Sequence, residues 1–322
     1  MSILLTLILQ KETQTMMKNQ RILITGALGQ LGLALIRELS KQENTYVLAT
    51  DINIPKSELS VDFEQVNALD KNRLESLITK HEFNCIYHFA AILSANGEQN
   101  PFVSWDVNVN SFQVVVSLAI QHNIQRLFWP SSIAVYGRDK NPINAPQQVD
   151  MNPHTIYGVS KLASEKLIRY YHHKYNIDIR SLRLPGVLST DLVGGGTTDY
   201  ATEMVQAAKN KMPYTCFLAP QTELPMIYID DVIMAIQKLM ETDFSVRQQA
   251  HSYNIMGFCL TPRKLEVQLK KLGFPVVVNY IPDYRQQIAE SWPRTTDDQL
   301  AKKDWGWSPK FDLKKSVKRM LS

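Results

Sequence analysis

Tyr157 and Lys161 stand four residues apart in the run YGVSK. On a helix that spacing puts both side chains on one face, so an ammonium lies beside a phenol. A free phenol titrates near ~10, too high for a base at neutral pH, and a neighbouring cation favours its ionised form. Tyr157 is then able to take a proton from a substrate hydroxyl. Lys161 is expected both to lower that pKa and to hydrogen-bond the ribose of a nicotinamide cofactor. A Tyr and a Lys one turn apart also occur on plain surface helices, so the pair needs supporting residues. Upstream, WPSSIAVYG ends an apolar strand with Ser131 and Ser132, where a hydroxyl can hold a reacting oxygen against the phenol.

A second constellation concerns the cofactor. In TGALGQLG, Gly26, Gly29 and Gly32 follow a strand-like run and open an amphipathic helix. Glycines there allow a tight turn and let backbone N–H groups and the helix N-terminus meet a pyrophosphate. A glycine pattern alone is weak evidence. Here Asp51 also closes the second strand at the expected offset. Its carboxylate suits both hydroxyls of an adenosine ribose and repels a 2′-phosphate, and DINIP holds no Arg to compensate, so NAD is expected over NADP.

These residues need a scaffold. RILITG and YVLATD are apolar strand runs, QLGLALIRELS has apolar residues at helical spacing, and CIYHFAA, RLFWPSS and DIRSLRLPG add further short strands. Helical stretches at Pro101 to His122 and Tyr157 to Tyr175 lie between them. Strands alternating with helices predict an α/β fold, a Rossmann-type doubly wound parallel sheet. After about residue 186 the alternation weakens, with Pro213, Pro220 and Pro225 expected in loops, which predicts a smaller C-terminal substrate lobe. The expected division is a leader or extended start over 1–17, a mainly NAD-binding domain over 18–186, and a mainly substrate-binding lobe over 187–322 with segments returning to the sheet.

Composition narrows the partners. With 322 residues the chain can bury a large core, and a net charge of +4 from 35 basic and 31 acidic residues comes without a dense basic tract. Nucleic acid is not an expected partner. Cys85, Cys216 and Cys259 lie far apart with no C-x-x-C pair, so neither a disulfide framework nor a thiolate zinc site is implied. No metal is expected. MSILLTLILQ lacks a basic start and is too short to span a bilayer, so no membrane association is expected either. The expected location is cytoplasmic, or the mitochondrial matrix in a eukaryote.

The glycine loop, the SS..VYG run and Tyr-x-x-x-Lys together resemble the extended short-chain dehydrogenase/reductase family. HFAAILSANGE, GGGTTDY, LPMIYIDD, PDYRQQIAESWP and DWGW are closer still to the L-threonine 3-dehydrogenases of that family, from about Lys18 to the C-terminus. Such enzymes oxidise the C3 hydroxyl of L-threonine with NAD, without a metal, giving 2-amino-3-oxobutanoate. The resemblance implies Tyr157 as general base with Lys161 and Ser132, and Asn108 in support. It implies cofactor contacts at Thr25, Gly26, Leu28, Gly29, Gln30, Leu31, Gly32, Asp51, Ile52, Ala90, Ala91, Asn108, Tyr157, Lys161, Leu184 and Val187, with Asp62 and Phe63 at the adenine. It implies a substrate pocket of Ser94, Ser131, Ser132, Tyr157, Gly196, Thr197, Thr198 and Trp292. One departure is LVGGG, where the family pattern has a proline before the glycines.

GGGTTDY would then be part of a lid bringing neutral donors over the nicotinamide and the methyl-bearing amino acid, with Trp292 packing on the methyl. The family also pairs the helices 101–122 and 157–175 with their copies in a homodimer. Several residues read as structural: His172 and His173 as surface or interface groups, His88 as packing under the cofactor, Asp230 and Asp231 as helix caps, and Trp305 and Trp307 as core. A nucleotide-sugar epimerase or dehydratase would use the same Ser132, Tyr157 and Lys161 but needs cations for its pyrophosphate, for which Arg285 and Arg294 are the candidates. A non-enzymatic NAD-sensing protein is the reading from another class.

Overall fold

The computed structural model describes residues 20–137, 143–191, 194–243 and 251–322. The expected leader, and Leu192 and Val193 of the LVGGG departure, lie outside the described residues.

Chain order places β1 at Gln20–Thr25, β2 at Thr45–Asp51, β3 at Asp62–Gln65, β4 at Cys85–His88, β5 at Arg126–Ser132 and β6 at Asp178–Leu184. Then come β7 at Gly186–Leu188, β8 at Tyr214–Cys216, β9 at Leu224–Tyr228, β10 at Ser252–Asn254, β11 at Phe258–Leu260 and β12 at Val278–Tyr280. Seven of these form one sheet in the order β10-β6-β5-β4-β1-β2-β3, and every pairing in it is parallel. The order runs outward from β1 in both directions, which leaves a crevice between β1 and β4 at their C-terminal ends, where ligands bind in such sheets. A three-stranded sheet β11-β9-β7 and a two-stranded sheet β12-β8 stand beyond those ends.

The strands are parallel because they are apolar on both faces. Ile22, Leu23 and Ile24 are all buried, Leu23 on one side of the sheet and Ile22 and Ile24 on the other. A strand of that kind needs helices on both faces. Local signals set where those helices begin and end. Asp70 accepts from Arg73 N–H to start Lys71–His81, and Thr155 accepts from Gly158 N–H to start Ile156–Tyr175. Both end on a residue in the left-handed region, Glu82 and Asn176.

Three expectations about elements are corrected. The stretch expected as one helix from Pro101 to His122 carries a π turn at Asp106–Asn110 between helices Pro101–Trp105 and Ser111–Gln121. Pro225 lies in β9 and not in a loop, one residue before the pairing with β7 starts at Met226. Asp230 and Asp231 do not cap: the cap position is Tyr228, and both acids lie in the first turn of Ile229–Glu241. The Asp231 carboxylate instead accepts from the N–H groups of Lys310 and Phe311 at 2.8 and 2.9 Å, tying the C-terminal segment to that helix. Trp305 and Trp307 are buried in the core, as expected.

Candidate active site

β5 and the following helix bring the candidate chemistry together. Ser132 is the last residue of β5, and its Oγ accepts from Ala134 N–H at 3.2 Å and interacts with the Tyr157 hydroxyl. Lys161, one helical turn after Tyr157, is buried, with Nζ 2.6 Å from the Pro130 carbonyl oxygen and 4.3 Å from the centre of the Trp129 ring. Burial pushes the Tyr157 phenol up to about 12, with the Ser132 bond pulling the other way. The same burial brings the Lys161 ammonium down to about 7, opposed by the Glu165 carboxylate. Burial thus opposes the lowering of the phenol expected from Lys161. Both groups lose solvent, and the ammonium turns to Pro130 and Trp129 and stands 5.4 Å from the Tyr157 ring centre.

Ser131 and Asn108 hold the site from behind. Ser131 Oγ donates to Glu165 Oε1 at 2.5 Å, so its hydroxyl is engaged within the protein and is not a free substrate contact. Asn108, on the π turn, accepts from Ile92 N–H at 2.8 Å and donates to the Ile92 carbonyl at 3.1 Å. Its amide also approaches Ser160 Oγ at 3.4 Å, which links the 90–93 loop to the Tyr157 helix. π turns concentrate at functional sites because they re-aim one side chain out of register.

The glycine loop is shaped by close approach. Gly26 has φ +67°, and a Cβ there would meet Ala90 N at 2.4 Å. A Cβ at Gly32 would meet the Ala27 carbonyl oxygen at 2.4 Å. Gly29 heads the helix Gln30–Leu39 with no side-chain cap, which leaves the first N–H groups of that ten-residue helix for an anion. Asp51 accepts from Leu28 N–H at 3.1 Å and from Asn53 N–H at 3.0 Å, so its carboxylate stands against the loop where a ribose would lie, with exposed Ile52 beside it. Glycine cradle, uncapped helix and acid fit NAD.

Some expected cofactor contacts are placed elsewhere. Thr25 is buried, with Oγ1 2.6 Å from His88 Nδ1, and His88 Nε2 is 3.0 Å from Ser111 Oγ. Ser111 Oγ donates to the Val107 carbonyl, so it accepts from Nε2–H and Thr25 donates to Nδ1. Burial lowers His88 to about 3 and keeps it neutral. It braces the floor under the loop. Asp62 and Phe63 are not at the adenine end: they pair with Leu48 and Ala49, nearer the start of β2. Asp51 pairs instead with Gln65, so Val66 and Asn67 follow at the edge that carries Asp51.

Gly26, Gly29, Gln30, Leu31, Ala91, Leu184 and Val187 line a cleft of about 190 Å³ together with Ser94, Ser131, Ser132, Tyr157, Lys161, Gly196, Thr197, Thr198 and Trp292. Gln30 Nε2 reaches the Val187 carbonyl oxygen at 3.4 Å across it. The GGGTTDY loop is joined to the helix Ser94–Gln99: the Gly195 carbonyl oxygen accepts from Ala95 N–H at 3.1 Å, and Ser94 Oγ accepts from Thr197 N–H at 3.2 Å. Trp292 also lines the cleft, and its indole Nε1 is buried with no hydrogen-bond partner.

Sequence reasoning passed over Asp199. It lines the cleft, accepts from Gly196 N–H at 2.8 Å, and burial raises its carboxyl to about 6. The acid in GGGTTDY was visible, but not its inward placement. Among the described residues lining the cleft, Lys161 is the one cation. Arg285 pairs with Asp283 and lies over the Phe217 ring, and Arg294 is exposed, so neither lines it.

The comparisons agree with this geometry. The profile of the NAD dependent epimerase/dehydratase family matches residues 22–255. A partial consensus L-threonine 3-dehydrogenase of solved structure is 39% identical with a TM-score of 0.91, covering 94% of this chain and 98% of that one. The GalE-like L-threonine dehydrogenase from Cupriavidus necator, solved in holo form, is 39% identical with a TM-score of 0.90 over the same shares of both chains. An uncharacterized epimerase/dehydratase of Staphylococcus aureus strain USA300 is 37% identical over 310 residues, 94% of this chain and 96% of its own. With its parallel sheet, glycine cradle and Ser132–Tyr157–Lys161 site, this chain belongs to the NAD dependent epimerase/dehydratase family, with NAD as its cofactor.

Proposed function

We propose that the protein oxidises the C3 hydroxyl of L-threonine to 2-amino-3-oxobutanoate, a step of threonine catabolism. The observation that carries this reading is the character of the cleft. It offers hydroxyls, backbone N–H groups and the Asp199 carboxylate, and Lys161, its one described cation, is turned to Pro130. A nucleotide-sugar pyrophosphate needs cationic anchors and would meet the Asp199 carboxylate instead. A small zwitterion suits the same groups: Asp199 accepts from its ammonium, and Thr198 with backbone N–H groups of the loop donates to its carboxylate.

Each residue then has a task. Tyr157 takes the proton of the C3 hydroxyl, and Ser132 Oγ donates to the same oxygen to hold it against the phenol. Lys161 contributes positive charge beside the phenol whenever it is protonated. NAD, when bound, supplies the acceptor for the hydride leaving C3 and a positive charge that favours the Tyr157 phenolate. Ser94 and Thr197 shape the pocket wall, Thr198 and Gly196 bring the lid backbone to the substrate, and Trp292 covers its methyl.

The protein is also read as a homodimer. Phe102 and Val103 on one helix are 86% and 53% exposed, and Val159, Tyr170 and Tyr175 are exposed on the Tyr157 helix. Apolar faces of that kind suit a second copy. Light scattering showing a monomer at micromolar concentration would remove this part. Among the described residues no helix is long and apolar enough to cross a membrane.

The test is NADH formation by purified protein with L-threonine and NAD, a chelator present, beside NADP, L-serine and UDP-glucose. Threonine- and NAD-dependent turnover that survives the chelator supports the reading. Conversion of UDP-glucose with no turnover of threonine replaces it by the epimerase alternative.

A further inference from the structure

Behind the catalytic pair lies a buried ion pair with no task in the chemistry above. Arg183 and Glu165 have side chains each 8% exposed, with Nε to Oε1 at 2.9 Å and Nη2 to Oε2 at 2.8 Å. Apolar residues of similar volume often serve stability as well as such a pair does, so burial alone explains it poorly. Arg183 Nη1 donates to the Gln147 carbonyl oxygen at 2.7 Å and lies 3.3 Å from both Tyr136 Oη and Asn254 Oδ1. The guanidinium is fixed on both sides, and it fixes the carboxylate in turn.

Glu165 has one further partner, and that partner adjoins the site. Ser131 Oγ donates to Oε1 at 2.5 Å, and Ser131 is the middle residue of Pro130–Ser131–Ser132. On one side the Pro130 carbonyl oxygen accepts from Lys161 Nζ at 2.6 Å, and on the other Ser132 interacts with the Tyr157 hydroxyl. Glu165 also follows Lys161 by one turn on the same helix. The groups facing Lys161 are Tyr157 and Glu165 from its own helix, His88 from β4, and the Trp129 ring and Pro130 carbonyl from β5, with Arg183 of β6 behind Glu165. Among these described groups Glu165 is the sole anion.

We propose that Glu165, locked by Arg183, is a positioning residue: through Ser131 it holds the strand end, Pro130 to Ser132, that seats Lys161 and Tyr157. The inference rests on the roles given to Tyr157 and Lys161 under the proposed function. Its physical content is that burial alone would discharge Lys161 at lower pH, and Glu165 opposes this.

The test compares the native protein with Glu165→Gln, Glu165→Asp and the double variant Glu165→Gln/Arg183→Met. The double variant avoids leaving Arg183 buried without its partner, which by itself can unfold the chain. NMR of the lysine Cε groups follows the one that titrates near pH 7, assigned by its loss in Lys161→Met. Loss of the Glu165 charge should move that titration down by about one pH unit, a tenfold change in the ammonium equilibrium. With active protein, kcat for threonine at pH 7 should fall about tenfold with little change in KM, and Glu165→Asp should restore most of the pH profile.

A folded Glu165→Gln variant that keeps the native Lys161 titration, or a double variant that melts like the native protein and keeps the native kcat and pH profile, would overturn the proposal, because the pair would then be structural only. The titration needs no substrate. Absence of threonine turnover in the native protein therefore overturns the proposed function, while the Lys161 titration still decides the role of Glu165.

Discussion

Ser94 Oγ and Thr197 Oγ1 lie 2.9 Å apart although the residues are separated by 103 positions in sequence. Both side chains are buried, and Ser94 Oγ also accepts from Thr197 N–H, so the glycine-rich loop is pinned to the helix that follows β4. Replacing Ser94 by Ala and Thr197 by Val, singly and together, should raise KM for threonine about tenfold per single change. Residues in direct contact couple by about 0.5–3 kcal/mol, so the double variant should fall short of the summed effect. Strict additivity in KM would show that the two hydroxyls do not act as a unit.

Tyr157→Phe removes the proposed proton acceptor and leaves the packing of the ring. Turnover should drop about 10²–10⁴-fold, the range for loss of a positioned general base, while NADH binding measured by fluorescence stays within a few-fold. Near-native turnover would take the base role away from Tyr157.

Gly26 has no room for a side chain. At φ +67°, with Ala90 N 2.4 Å from where a Cβ would stand, Gly26→Ala must displace either the loop or the 89–91 backbone. Backbone strain of that kind costs about 1–3 kcal/mol. Thermal melting should show the loss, and calorimetric titration should show NAD binding weakened at least tenfold. Unchanged NAD affinity would mean that this turn does not carry the cofactor.

Lys161 makes stability depend on pH in a defined direction. Its folded pKa is about 7 against an ordinary 10.5, so between those values the unfolded chain binds the extra proton. Stability attributable to Lys161 therefore rises as pH increases through that window and falls again towards pH 7. From pH 7 to 9 the gain is at most about 2–3 kcal/mol at 1.36 kcal/mol per unit. Urea midpoints at the two pH values should separate for the native protein by more than for Lys161→Met. Equal separations would place the Lys161 ammonium in contact with solvent.

Asp199 adds a second pH effect with the opposite protonation preference. Its carboxyl titrates near 6 because burial disfavours the charge, and only the carboxylate can accept from a substrate ammonium. The ratio kcat/KM for threonine should therefore fall as pH drops through about 6. Asp199→Asn should lower it and flatten that limb, and a limb that survives the change belongs to another group.

Much of the site was legible in the sequence because it is built from local units. The glycine loop, Ser132 and the Tyr157–Lys161 pair each lie within one strand–turn–helix or one helical turn, where spacing alone decides which side chains share a face. Asp51 was legible for the same reason, as the end of the strand next to β1. The parallel sheet followed from strands that are apolar on both faces and alternate with helices.

Other features depended on contacts between distant segments, which no local pattern encodes. Strand register placed Asp62 and Phe63 near the wrong end of β3 for an adenine, since a parallel ladder is set by packing and not by residue type. The partner of the Ser131 hydroxyl, 34 residues away, turned an expected substrate contact into a support. Burial decided the direction of both Tyr157 and Lys161 pKa shifts, because desolvation depends on everything packed around a group. The inward carboxylate of Asp199 and the Arg183–Glu165 pair likewise exist only once the 194–200 segment is packed at the cleft and β6 lies beside β5.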